Sequence, residues 1–432
     1  MNKKTLTKLG NKTIPTGKVK VTMYDVGFGD CFLLSFPYSD GKSRHVLIDC
    51  GSSTERKDRM KNVALQIAKD CDGHLHGLVV THRHSDHLSA FGLKDVGDIL
   101  EKLQPEVVVQ PWTEHPQADA QAKTAPSVFS DNALTHLDSL YSAQQFAERL
   151  TKNLGNTLVG ASPALQKRLA FITTLSIPNK PAIQRLERMG KGKGRLAAYV
   201  YAGTKSGLER VLPGIQISVL GPPTLAQSAK IKNPSDWDPS EFWKFQAGLV
   251  MSLAGNRLQT KGRSTLILGG KTASITEASS NLKWVISRLD KAHTQNIQRF
   301  VRVLDGALNN TSVILLFELN NKAMLFPGDA QLENWQYALQ DSQNKKLLQK
   351  SNLYKVGHHG STNATPKSLW ALFANRSPQL KPDRLITLLS TKHGKHENVP
   401  RESLVTALKN ESNLNSTEDF GKTNKLSQPY DV

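Results

Sequence analysis

The chain reads as an α/β sandwich whose two halves are separated by long, basic, mostly helical sequence. Three observations predict it. A strand, helix, strand order fills the first 110 residues, short β-prone runs resume after residue 217, and the polar stretch between them fits neither sheet.

The first half opens on short β-prone runs at Val19 to Val26, Cys31 to Phe36 and His45 to Ile48, separated by Gly27, Gly29 and Gly41. Residues 54–70 place Met60, Val63, Ala64 and Ile67 on one helical stripe. Leu78 to Val80 forms the next strand, a short helix follows at about 93–103, and Val107 to Val109 closes this half. The second half is signalled by Ile217 to Leu220, Ser312 to Phe317, Ala323 to Phe326, Leu353 to Val356 and Leu385 to Leu389. The main domain is expected over 19–410, with insertions at 112–212 and 224–306 and a polar, fraying tail at 411–432. The second insertion offers amphipathic helices around Phe242, Phe245, Leu249 and Leu253, and around Val285, Leu289, Ile297 and Leu304.

A chain of 432 residues holds either two or three average domains or one large domain with insertions. No apolar run is long enough to span a membrane, and Met1 to Lys20 lacks the apolar stretch of a secretory signal, so a cytoplasmic protein is expected. Cys31, Cys50 and Cys71 are odd in number and lack CxxC spacing, which favours buried apolar residues over a disulfide framework or thiolate site. The net charge of +19 is local: residues 151–300 hold 22 Lys plus Arg against 7 Asp plus Glu. Such a surplus points to a polyanionic partner such as nucleic acid, with the exposed run Lys191, Lys193 and Arg195 as backbone-binding candidates. An aromatic content of 6% offers few stacking platforms, so sequence-independent backbone binding is the expected mode.

The chemistry lies in His82-x-His84-x-Asp86-His87, straight after an apolar strand and so at its C-terminal end. An extended segment projects residues i and i+2 to one side, which lets His82 and His84 grip one ion while Asp86 and His87 turn towards a second. Imidazoles and carboxylates suit borderline divalent metals, Zn first and Mn second.

This HxHxDH loop resembles that of the metallo-β-lactamase superfamily, which implies its αβ/βα sandwich. Val46 to Gly51 is similar to that family's early strand ending in Asp-x-Gly, implying that Asp49 supports the His loop from behind. Met324 to Ala330 resembles its later Gly-Asp turn, implying that Asp329 bridges two metals. Within the superfamily, Tyr24 to Asp30, Asn309 to Val313 and Val356 to Ser361 resemble the soluble hydrolase domain of bacterial competence DNA-uptake channels. The resemblance implies that His359 completes the first metal with His82 and His84, that His358 beside it donates a proton, and that Asn310 and Ser361 meet substrate. The order of the two histidines is open. A last ligand, joining Asp86 and His87, is His396 or His393, the His-x-x-x-Pro spacing favouring His396. His115 and His136, in the insertion, read as surface or structural residues.

Two cations sharing a water bring its pKa near neutrality, so a bridging hydroxide could attack phosphorus or carbonyl carbon, with Asp86 as the catalytic carboxylate at the second ion. The first functional expectation is therefore a phosphodiesterase or nuclease. The alternatives are a small-molecule ester, lactone or thioester hydrolase, and a metal-binding subunit of a larger nucleic-acid or phage-defence complex.

Overall fold

The computed structural model describes residues 13–55, 57–115, 179–224, 227–228, 265–268, 271–274, 308–361, 363–394, 399–421 and 425–432. These fall into two compact units, one drawn from 1–112, 179–222 and 311–432, the other from 113–178 and 223–310.

In chain order the first unit begins with β1 (Lys20–Tyr24), β2 (Cys31–Pro37), β3 (Ser43–Cys50), α1 (Lys57–Asp70), β4 (Gly77–Val79), α2 (Ser85–Gly92), α3 (Lys94–Glu101) and β5 (Val107–Pro111). It resumes with α4 (Lys180–Gly190), β6 (Leu196–Val200) and β7 (Gln216–Gly221). Of the second unit, the described part includes an antiparallel hairpin, β8 (Thr265–Leu268) with β9 (Lys271–Ser274). The first unit then continues through β10 (Ile314–Leu319), β11 (Lys322–Phe326), α5 (Leu332–Ala338), α6 (Ser342–Gln349), β12 (Ser351–Lys355) and α7 (Lys367–Trp370). It ends with β13 (Ile386–Leu389), α8 (Glu402–Glu411), β14 (Asn413–Ser416), α9 (Thr417–Gly421) and β15 (Ser427–Asp431).

Seven strands make one sheet, in the order β15-β1-β2-β3-β4-β5-β6, and six make the other, β14-β13-β12-β11-β10-β7. Each changes from antiparallel to parallel part-way, with β3 to β6 parallel in the first and β11 to β14 parallel in the second. Period-two side chains decide the layers. In β2, Phe32, Leu34 and Phe36 enter the core between the sheets, whereas Cys31 and Leu33 join the core beneath the helices. The sheets meet through rings such as Phe32 and Phe326, whose centroids are 5.8 Å apart edge to face, an arrangement worth about 1 kcal/mol beyond the buried area. Outside the first sheet, α1 buries Met60, Val63, Ala64 and Ile67, its predicted stripe, with Asp58 in its first turn and Lys69 in its last matching the helix dipole. The result is a four-layer α/β sandwich.

Two expectations need correction. Residues 180–200, assigned to the first insertion, form α4 and the edge strand β6 of the first sheet, paired in parallel with β5. The signal was weak because Leu196 to Val200 is half-buried and short. Six of the 22 basic residues in 151–300 belong to this segment, and some are committed to packing: Arg185 pairs with Asp98 at 2.7 Å and Glu101 at 3.1 Å, which docks α4 on α3. The described residues of the tail join both sheets. β15 runs antiparallel to β1 from Lys20↔Asp431 to Tyr24↔Ser427, and β14 closes the second sheet; both are too polar to show apolar alternation. The expected insertion helices around 242–253 and 285–304 lie outside the described residues.

Candidate metal centre

The parallel strands of both sheets deliver their carboxyl ends to one place. From the first sheet come Asp49 at the end of β3, the loop after β4 that carries Thr81 to His84, and the first turn of α2 with Asp86 and His87; from the second come Asp329 after β11, His359 after β12 and Ser390 after β13. His82, His84, Asp86, His87, Asp329 and His359 are all buried.

Asp329 Oδ2 stands at the centre. It lies 3.1 Å from His87 Nε2, 3.7 Å from His359 Nε2, and 3.9 Å from both His82 Nε2 and His358 Nε2. His82 Nε2 is 3.0 Å from His84 Nδ1. His359 differs from its expected place. Its Nε2 is 3.1 Å from Asp86 Oδ2, so it groups with Asp86, His87 and Asp329, four residues whose donor atoms lie within 4.8 Å of one another. Its ring is held by Nδ1, which donates to Ser390 O at 2.9 Å. His358 has its Nε2 3.9 Å from Asp329 Oδ2 and its ring partly open to solvent.

Backbone strain helps to aim these rings. His358 (φ 46°) and His359 (φ 51°) are consecutive non-glycine residues in the left-handed region, followed by Gly360 (φ 84°), and such conformations persist only where surrounding structure imposes them. Asp49 is also left-handed (φ 56°). Its carboxylate accepts from Thr81 N at 2.7 Å, Thr81 Oγ1 at 2.7 Å and His87 Nδ1 at 2.8 Å, which leaves Nε2 of His87 towards Asp329. Gly29 leaves room for the His loop: a Cβ there would lie 2.2 Å from Gly51 O and 2.6 Å from Asp86 O.

Burial dominates the electrostatics. It pushes His82 far below the usual imidazole range and His84 down to about 4, leaving neutral rings fit to donate lone pairs. Burial also opposes charge on His87 and His359, but nearby aspartates, Asp329 foremost, outweigh it and raise both. The carboxylates of Asp86 and Asp329 are held low despite burial, chiefly by His359 in the first case and His87 in the second.

The donor set fits divalent cations. Buried Asp86 Oδ1, His87 Nε2 and Asp329 Oδ1 have no hydrogen-bond partner, and the close approach of His87 Nε2 to Asp329 Oδ2 lacks hydrogen-bond alignment. Polar atoms crowded at 3 to 4 Å without satisfying one another are what a cation between them would require. Other expected residues fall elsewhere. His396 and His136 lie outside the described residues, and His393 is exposed, its backbone N donating to Glu418 Oε1. Ser361 is half-buried beside the His358 turn, Asn310 belongs to the second unit with half-buried His115, and all three cysteines are buried. Lys191, Lys193 and Arg195 precede β6, at the amino ends of the parallel strands, so the first sheet separates them from the centre by about 15 Å of strand.

Two residues were not anticipated as site members. Asp30, in the loop before β2, and Lys355, ending β12, are buried beside Asp329 and contact each other. A lysine inside an apolar strand was the available signal.

A family model described as the metallo-beta-lactamase superfamily matches residues 24–167. The sandwich is the metallo-beta-lactamase fold. The match spans about a third of the chain and includes Asp49 and the whole His loop, while Asp329 and His359 reach the same place through the fold. No curated protein matches the chain. The superfamily is made up mostly of metal-dependent hydrolases, and the buried His and Asp groups agree with that chemistry. Among the described residues, no helix is long and apolar enough to cross a membrane.

Proposed function

We propose that the protein is a binuclear metal-dependent phosphodiesterase. The reading rests on Asp329 Oδ2, which four imidazole Nε2 atoms approach to between 3.1 and 3.9 Å inside a buried site. His82, His84 and Asp329 would hold one ion, and Asp86, His87, His359 and Asp329 the other. Divalent ions so held supply an acidified water and charge neutralisation at the reacting phosphorus. The chain's own residues do the rest. Asp49 and the Ser390 carbonyl fix two imidazoles by their Nδ1–H groups, and His358, whose ring alone in the group is partly solvent-exposed, is placed to hand a proton to a leaving oxygen.

The basic balance of the chain favours a polyanionic diester, nucleic acid first, over a neutral ester or lactone. Purified protein loaded with Zn or Mn should hold close to two equivalents and hydrolyse bis(p-nitrophenyl) phosphate. Two metals with turnover of lactones or thioesters and none of diesters would replace this reading by a small-molecule hydrolase. Two metals with no turnover of any of them would favour a metal-binding subunit.

A further inference from the structure

At the amino ends of β11 and β12, away from Asp329 and His359, lies a cavity of about 680 Å³, within the roughly 300–1,000 Å³ of small-molecule sites. Such sites are lined mostly by apolar and aromatic side chains. Among the described residues this one offers only Leu347 and Ala374 as apolar lining, and no aromatic ring. Its charge comes from Lys322 on β11, Lys346 on α6 and Lys350 just after α6, set against the single carboxylate of Asp383. Of the three ammonium groups, only that of Lys350 has an acid within 4 Å among the described residues, Glu318 at 3.9 Å.

Two side-chain amides give this positive field a defined polarity. Asn352 on β12 is nine-tenths buried, and its Oδ1 accepts from Ala323 N at 3.1 Å, where the β11–β12 register shifts. What it has left for the cavity is Nδ2, a donor with no partner among the described residues. Asn375 is the reverse. Its Nδ2 donates to Ser351 O at 2.9 Å, which leaves Oδ1 as an acceptor, and Asp383 adds another. We propose that this cavity binds a small phosphorylated polyol, its phosphoryl group held by the three lysines and Asn352 Nδ2, and its hydroxyls donating to Asn375 and Asp383. A phosphate monoester carries a charge of about −1.5 to −2 at neutral pH, which suits three lysines set against one carboxylate. A nucleobase would find no aromatic face to stack on, and a nucleic-acid strand needs cations along a track rather than around one cavity. About 16 Å of strand separates the cavity from the metal centre, so occupancy of the one is separable from the chemistry of the other.

Calorimetric titration of the full, zinc-loaded chain with glycerol phosphate, ribose phosphate and glucose phosphate tests this, with circular dichroism as the check on folding. Inorganic phosphate, adenosine monophosphate and a single-stranded oligonucleotide serve as comparisons. At least one sugar or polyol phosphate should bind at one equivalent and more tightly than inorganic phosphate or the mononucleotide. Lys346→Gln should weaken that binding about tenfold, the effect of one lost charge-assisted contact. Asn352→Asp keeps the oxygen that Ala323 N requires but replaces the facing donor by a carboxylate, so it should fold and weaken binding about a hundredfold. Binding that survives Asn352→Asp in the folded protein lies elsewhere, the metal centre included, and overturns the proposal. Failure of every sugar and polyol phosphate to bind at millimolar concentration overturns it too. Tighter binding of the mononucleotide, or oligonucleotide binding that Asn352→Asp abolishes, would replace the polyol by a nucleotide or a nucleic-acid strand as the occupant.

Discussion

Replacing Asp49 by alanine tests the logic of the site at its support. Three donors converge on this carboxylate, Thr81 N, Thr81 Oγ1 and His87 Nδ1, all within 2.8 Å and all buried. A buried donor left without an acceptor costs about 1–3 kcal/mol, so three would cost roughly 3–9 kcal/mol. Against this, burial raises the Asp49 pKa despite the opposing pull of His87, so removing the carboxylate recovers part of its desolvation penalty. The net expectation is a loss of about 3 kcal/mol, a large share of a typical stability of about 5–15 kcal/mol. Urea unfolding of the metal-free protein should show it as a lower midpoint with an unchanged slope. Asp49→Asn, which keeps an acceptor for Thr81, should lose less. The same change frees the His87 ring and should weaken zinc at the Asp86 and His87 position ten- to a hundredfold. An unchanged midpoint together with unchanged zinc affinity in Asp49→Ala would refute the account of how the His loop is held.

Two further outcomes follow from the grouping of ligands and from the topology. Asp86→Ala and His359→Ala should empty the same metal position and His82→Ala the other, read by metal analysis after dialysis; His359→Ala behaving like His82→Ala would restore the pairing implied by the family resemblance. Charge reversal at Lys191, Lys193 and Arg195 should leave turnover of a small diester unchanged, because these residues stand at the far edge of the first sheet, while any nucleic-acid affinity loses up to about one unit of log-log salt slope per phosphate contact removed. Lost small-diester turnover would contradict that placement.

The His loop was legible because its residues are adjacent in sequence and follow an apolar strand, so local geometry alone brings them together. Asp49 and Asp329 were legible for a similar reason, each ending a β-prone run. The grouping of His359 with Asp86 was not, since those residues stand 273 positions apart and only the packing of one sheet on the other decides which side of Asp329 the ring meets. Lys355 was hidden by its type: a lysine is ordinarily read as solvated, and its burial makes sense only once Asp30 and Asp329 are known to flank it. The strands β6, β14 and β15 escaped because edge strands need bury only part of one face, which removes the alternation that betrays inner strands.

The division of ligands between the sheets has a consequence for how the molecule comes into being. The His loop is complete by residue 87, yet Asp329 and His359 emerge only after some 240 further residues have been synthesised, and β15, which pairs with β1 in the first sheet, follows both. In that interval a nascent chain carries only the first sheet's half of the proposed site, and metal capture by the full set would report that both sheets have formed and docked. The ions would then serve as a clasp between early and late parts of the polypeptide, coupling the last folding step to the appearance of chemistry.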